Sequence, residues 1–213
     1  MNRAVIISNG DFHDYEYIKK QITEDDFIIC ADGAAHHLKN MDISPYVWIG
    51  DFDSCKMSES EFSAFSKDAQ VVRLNPVKDF TDTESACDYA INQGYKSIAI
   101  FGALGSRFDH TMANVFLLFK LEKAGVDAKI INEKNIIYLA KDENLISPGD
   151  FENVSLIPVC KKIEGVTITG MYYNVENIDI MRGSSLGVSN RLVSAVGKIS
   201  IKKGKALIIL SKD

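Results

Sequence analysis

The 213-residue sequence has no lysine or arginine run long enough to grip nucleic acid, and its formal net charge is −5. A protein that holds phosphate backbones presents a basic face, so that class is set aside. No apolar run approaches the length of a membrane span. The opening Met1-Asn2-Arg3-Ala4 runs straight into a strand-like segment without a signal-peptide pattern. The four cysteines, Cys30, Cys55, Cys87 and Cys160, form no Cys-x-x-Cys pair. This suits a reduced cytoplasm, with thiols acting as small apolar residues. Cys55 has no histidine near it in sequence and is a poor nucleophile candidate. The histidines His13, His36, His37 and His110 make no zinc pattern, since adjacent His36 and His37 would lie about 100° apart on a helix. Internal repeats and low-complexity tracts are missing as well. What remains is 46% hydrophobic and 25% charged, an ordinary soluble composition with enough apolar material for a sizeable core.

The first two-thirds of the chain alternates apolar runs with helix-like segments. Strands are expected at 4–8, 27–31, 46–49, 71–74, 97–101 and 128–131. Helices are expected at 15–22, 34–39, 58–66, 82–93 and 110–124. Continuous apolar strands separated by helices predict a mostly parallel, Rossmann-like sheet covered on both faces. From Asn144 the helical period disappears, and short alternating runs at 154–157, 166–169, 178–181, 199–201 and 206–210 take over. They predict a smaller all-β sandwich or jelly-roll-like domain. The expected domains are therefore 1–143 and 144–213, with Lys202-Lys203-Gly204-Lys205 as a hairpin turn.

The polar motifs of the first domain follow its strands, and an open parallel sheet binds ligands outside the carboxyl ends of its strands. Five such ends carry Asn9-Gly10-Asp11, Asp32-Gly33, Asp51 with Asp53, Lys78 to Asp82, and Gly102 to Asp109. Asp51 and Asp53 alternate along an extended or turning segment and can face one ligand. Two carboxylates so close repel unless a cation lies between them, and Mg²⁺ takes one or two carboxylates with substrate phosphates. A solvated turn is the plainer alternative. Thr81 and Glu84 have the spacing of a capping box at a helix start. Asp79 with Asp82 exceeds what one cap needs. The glycines of Gly102 to Gly105 allow close backbone approach ahead of a helix N-terminus, and Arg107 offers a forked donor to phosphate. Asp109 fits equally as an N-cap. Neither a P-loop nor a full dinucleotide fingerprint is present. In the second domain Tyr172 and Tyr173 are adjacent, so on a strand one would be core and the other free to stack on a ligand.

Asp32-Gly33-Ala34-Ala35, Ile49-Gly50-Asp51-Phe52-Asp53-Ser54, Asp79-Phe80-Thr81-Asp82-Thr83-Glu84, Gly102 to His110 and Gly187-Val188-Ser189-Asn190 occur in this order. By these motifs, and over nearly its whole length, the chain resembles the thiamine pyrophosphokinases. The resemblance implies transfer of a pyrophosphoryl group from ATP to thiamine, giving thiamine diphosphate and AMP. It implies that Asp51, Asp53 and Asp82 hold or orient Mg²⁺ and the triphosphate. Asp32, Lys78, Thr81, Gly105, Ser106, Arg107 and Asp109 would serve ATP. Tyr173, Ser189 and Asn190 would serve thiamine, with Tyr173 standing where some members carry tryptophan. A cytoplasmic homodimer with the thiamine pocket at the subunit interface is implied too. Two rivals share parts of the pattern. A Mg²⁺-dependent nucleotide-sugar transferase also uses Asp-x-Asp, and a non-catalytic nucleotide or vitamin sensor would retain the pocket.

Overall fold

The computed structural model describes residues 3–53, 55, 57–66, 68–75 and 79–213, without the side chain at 59. The chain forms two compact units, one ending at Glu133 and the other beginning at Lys134.

The first unit runs β1 (Ala4–Ile7), α1 (Tyr15–Lys20), β2 (Phe27–Ala31), a 3₁₀ turn (Asp32–Ala34) leading into α2 (Ala35–Met41), β3 (Val47–Gly50), α3 (Glu59–Phe65), β4 (Gln70–Arg73), α4 (Asp82–Asn92), β5 (Ser97–Phe101), α5 (Phe108–Lys123) and β6 (Asp127–Ile131). The strands lie in the order β4-β3-β2-β1-β5-β6, and every neighbouring pair is parallel. β1, β3 and most of β2 and β5 are buried, as sheet strands covered by helices on both faces must be. Trp48 of β3 is fully buried and stacks on Phe62 of α3 at 3.9 Å between ring centroids. Successive strands leave β1 toward β2 on one side and return to it at β5 on the other. The order reverses between β1 and β5, and a crevice opens at such a switch point.

The start of α5 differs from expectation. α5 starts at Phe108 rather than His110, and its N-cap is Arg107, without a side-chain cap bond. Asp109 is therefore not the cap but an acid inside the first turn, where the helix dipole favours it. Thr81 does cap α4, accepting the Glu84 backbone N–H at 3.2 Å. The Glu84 carboxylate accepts from Lys120 at 2.9 Å.

The second unit contains β7 (Asn135–Leu139), β8 (Glu143–Ile146), β9 (Asn153–Pro158), β10 (Lys162–Thr169), β11 (Val175–Met181), β12 (Gly197–Ser200) and β13 (Ala206–Ser211). β13 pairs antiparallel with β7 and β9, while β11-β10-β12-β8 form a second antiparallel sheet. Leu156, Ile208 and Leu210 of the first group share one core with Ile163, Val166, Ile180 and Ile199 of the second, so the unit is a sandwich. The compact unit begins at Lys134 rather than Asn144 because β7, whose continuous apolar run has no alternation, pairs with the last strand of the chain. Lys202 to Lys205 is not a hairpin turn. β12 pairs with β10 and β8, β13 with β7 and β9, so the segment crosses between sheets. Gly204 makes the crossing possible, with φ of 107° and no room for a Cβ, which would meet the Lys162 carbonyl oxygen at 2.8 Å.

Cys30 and Cys87 are buried, Cys55 and Cys160 partly so, and all four are free thiols. Burial pushes the Cys55 thiol up, which removes it further from a nucleophile's role. Among the described residues, no helix is long and apolar enough to cross a membrane.

Candidate active site

The crevice predicted by the strand order is present in the first unit. A cleft of about 340 Å³ is lined by Asn9, Gly10 and Asp11 after β1, Asp32 after β2, Thr81 to Thr83 at the start of α4, and Gly102 to Arg107 after β5. Four of the five expected strand ends thus meet around one space. The fifth, with Asp51 and Asp53, does not line it but adjoins it through Asp32.

Asp32, Asp51 and Asp53 each place a carboxylate oxygen within 4.8 Å of the other two. The arrangement is locally enforced. Asp32 adopts φ of 44° and Phe52 φ of 67°, conformations that L-residues seldom hold without support. The support is visible. Trp48 Nε1 donates to the Asp32 backbone oxygen at 2.8 Å, and the Phe52 backbone N–H donates to Asp32 Oδ1 at 2.9 Å. Asp51 Oδ1 accepts the Asp53 backbone N–H at 3.2 Å, tightening the turn. Gly50 lies against Asp32 so closely that a Cβ there would meet its Cα, Cβ and Oδ1, each at 2.9 Å. Asp32 is buried, Asp51 half-buried and Asp53 exposed. Burial, then the charge of Asp82, raises the Asp32 carboxyl above its ordinary range against the pull of its backbone hydrogen bonds. Three hard oxygen donors under mutual repulsion fit a hard divalent cation. The expected trio was Asp51, Asp53 and Asp82. Asp32 takes the third place in the close group, while Asp82 lines the cleft and acts on Asp32 through its charge.

The glycine loops form the opposite part of the cleft. The Gly10 N–H donates to the Gly102 carbonyl at 2.8 Å. A Cβ on Gly102, whose φ is 66°, would come within 2.1 Å of the Ser8 carbonyl oxygen. Only glycine permits this close approach of two strand-end loops. Asp11 Oδ2 accepts the Ser106 N–H at 3.1 Å. Asp11 was missing from the expected ligand residues although its strand-end motif was legible. Buried Asn114 supports the loop from α5, donating to the Ala103 carbonyl at 2.8 Å. Arg107 pairs with Asp109 at 2.6 Å. That bond holds the exposed Asp109 carboxyl down at about 2. Lys78 falls outside the described residues.

In the second unit Tyr172 and Tyr173 do not alternate between core and surface. They follow β10 in a turn, both are exposed, and their rings meet edge to face at 4.9 Å. With Asn174, Ile178, Leu186, Val188 and Asn190 they line a mainly apolar pocket of about 550 Å³. Asn190 is buried and clamps the tyrosine turn, accepting the Tyr173 N–H at 2.9 Å and donating to its carbonyl at 2.8 Å. Ser189, at φ of 57°, donates its backbone N–H to Ser155 Oγ at 3.0 Å and is not among the lining residues. Leu186 and Val188 were not among the expected site residues, although Val188 stands within the Gly187 to Asn190 motif and Leu186 next to it.

The sequence matches the family model described as thiamin pyrophosphokinase, catalytic domain, over residues 18–130, and that described as thiamin pyrophosphokinase, vitamin B1 binding domain, over residues 134–206. It is 34% identical over 194 residues to thiamine pyrophosphokinase of Bacillus subtilis strain 168, covering 87% of each chain. Among solved structures, a thiamine pyrophosphokinase from Bacillus subtilis superposes with a TM-score of 0.91 at 29% identity, covering 100% of both chains. A thiamin pyrophosphokinase from Geobacillus thermodenitrificans gives 0.86 at 28% identity, covering 99% of this chain and 98% of that one.

Proposed function

The chain belongs to the thiamine pyrophosphokinase family, and from that premise we propose how its residues divide the work. It transfers pyrophosphate from ATP to thiamine, yielding thiamine diphosphate and AMP. The first unit is proposed to bind ATP and the second thiamine. The observation that carries the assignment is the convergence of Asp32, Asp51 and Asp53 beside a strand-end cleft whose lining includes Gly10, Gly102, Gly105 and Arg107.

These three carboxylates would hold Mg²⁺, which when bound neutralises charge along the triphosphate. Asp82, on the cleft wall, would act on the same ion through its charge and so help orient the triphosphate. Gly105 and Ser106, whose N–H groups donate to Thr111 Oγ1 and Asp11 Oδ2, would shape the loop around the phosphates, and the Ser106 hydroxyl is the group offered to a phosphate oxygen. Arg107, held by Asp109, presents its remaining guanidinium N–H groups at the mouth. Thr81 fixes the start of α4 and with it Asp82, and Lys78 is assigned to ATP by its place in the motif. Attack of the thiamine hydroxyl on the β-phosphorus needs in-line placement more than covalent help. Tyr173, or Tyr172 beside it, stacks on the thiamine rings. Asn190 sets that turn, and Ser189 completes the loop.

We further propose a cytoplasmic homodimer with the thiamine pocket at the subunit interface. The support for the interface is the exposure of the apolar side chains Tyr172, Tyr173, Leu186, Val188, Val193 and Val196, which a partner surface would cover. The test is turnover with ATP, thiamine and graded Mg²⁺, identifying the leaving nucleotide. AMP release that depends on Mg²⁺ and is nearly abolished in Asp53→Asn, with the fold unchanged, is the expected result. Near-normal AMP release by that variant rules the metal assignment out.

A further inference from the structure

We propose that His37 is a positioning residue for the phosphate cleft, a neutral imidazole that fixes the Gly10 carbonyl and through it the Gly10–Asp11 loop. This rests on the reading that the cleft holds ATP.

His37 belongs to α2 and is buried. Its Nε2 lies 2.9 Å from the Gly10 carbonyl oxygen, its Nδ1 lies 2.8 Å from Tyr15 Oη of α1, and Asn40 Nδ2 lies 3.1 Å from the same phenol oxygen. Donor and acceptor roles follow from chemistry alone. A carbonyl only accepts, so Nε2 carries the proton. A neutral imidazole then accepts at Nδ1, so Tyr15 donates to it, and the Tyr15 oxygen accepts from Asn40. One direction runs through the whole chain, from Asn40 to Tyr15 to His37 to Gly10. Phe12 lies on the imidazole with ring centroids 4.2 Å apart and planes 12° apart, which closes one face to water. Burial, reinforced by neighbouring His36 and opposed by Gly10 and Asp11, holds the His37 imidazole down at about 4. Among the described residues Tyr15 also touches it.

Gly10 is the point this relay grips. Its N–H is bonded to Gly102, its carbonyl to His37, and a Cβ would meet the Gly102 oxygen at 2.4 Å and the Leu104 oxygen at 2.7 Å. The next residue, Asp11, receives the Ser106 N–H. A shift of the Gly10 carbonyl therefore moves both loops that line the phosphate side. None of these groups is among the residues lining the Tyr172–Tyr173 pocket, so the effect belongs in the pyrophosphoryl-transfer step and not in thiamine affinity.

Asparagine reaches only the Nδ1 position, whereas glutamine carries an amide N–H to the Nε2 position. His37→Asn is expected to lower kcat about tenfold or more, with KM for thiamine within about twofold of the parent. His37→Gln should recover at least half of that loss on a logarithmic scale. Tyr15→Phe, which leaves Nδ1 without its donor, should cost about threefold in kcat. Nitrogen NMR of the parent imidazole should show the Nε2–H tautomer alone between about pH 5 and 8. Equal losses in the Asn and Gln variants, a raised thiamine KM at normal kcat, or an Nδ1–H or titrating imidazole would each overturn the proposal. Should His37→Asn fail to fold, Tyr15→Phe and the tautomer decide. If Asp53→Asn releases AMP at a near-normal rate while the His37 variants and the tautomer behave as stated, the metal assignment falls and the positioning role of His37 stands.

Discussion

At the residue scale the decisive group is Asp32. Its carboxyl is raised by burial and by the charges of Asp82 and Asp51, so its ionised form opposes folding when no cation is present. The sign follows from linkage. The cost is absent below the unfolded carboxyl pKa of about 3.9 and develops as pH rises through the higher folded value. Asp32→Asn keeps an oxygen for the Phe52 N–H and removes the charge. Without Mg²⁺ this variant should melt about 2–4 °C above the parent at pH 7, with the gap closing as pH falls toward 4. Its turnover should drop at least about a hundredfold. Thermal scans in chelator at several pH values check the first half and an AMP assay the second. A variant that melts lower at pH 7 than at pH 4 relative to the parent contradicts the charge argument.

At the element scale the site depends on how β3 ends. Gly50 closes the strand against Asp32, with all three nearest atoms at 2.9 Å from a built Cβ. Backbone and a carboxylate that is already bonded cannot give way as the end of a flexible side chain would. Gly50→Ala should therefore cost about 1–3 kcal/mol in urea unfolding and weaken Mg²⁺ activation by displacing Asp32. Unchanged stability and unchanged Mg²⁺ dependence would show that the β3–Asp32 contact is not needed. The same logic explains why one element departed from expectation. α5 begins at Phe108 because Arg107 can leave extended backbone and engage Asp109 across the first turn. Local propensity places Asp109 at a cap or inside the turn with similar ease, and the loop arriving from β5 decides between them.

At the scale of the whole molecule, the proposed homodimer can be tested through the exposed apolar residues of the β unit. Val193 is 61% and Val196 48% exposed, and the Val193 N–H donates to the carbonyl of Gly170, two residues before Tyr172. Val193→Asp with Val196→Asp should convert a dimer in sedimentation equilibrium to monomer. It should also raise KM for thiamine at least about tenfold, with KM for ATP changed far less. A parent that sediments as a monomer at assay concentration would remove the interface from the proposal.

The alternation of apolar runs and helical segments was enough to read the parallel sheet, since strands buried on both faces must be continuously apolar and crossover helices must be amphipathic. It also brought Asn9 to Asp11, Asp32, Asp82 and Gly102 to Arg107 to one rim, because every parallel strand ends on the same side. Other features depend on distances between residues far apart in the chain. Asp32 joins Asp51 and Asp53 only because β2 and β3 are neighbours and Gly50 admits close contact. Tyr172 and Tyr173 share a surface because β10 has already ended, and Lys202 to Lys205 crosses between sheets because β13 finds its partners in β7 and β9. His37 showed no metal pattern in the sequence, and its carbonyl partner lies 27 residues away. Periodicity and turn chemistry are local and are written in the sequence. The meeting of carboxylates, and the direction of a hydrogen-bond relay, are settled by packing.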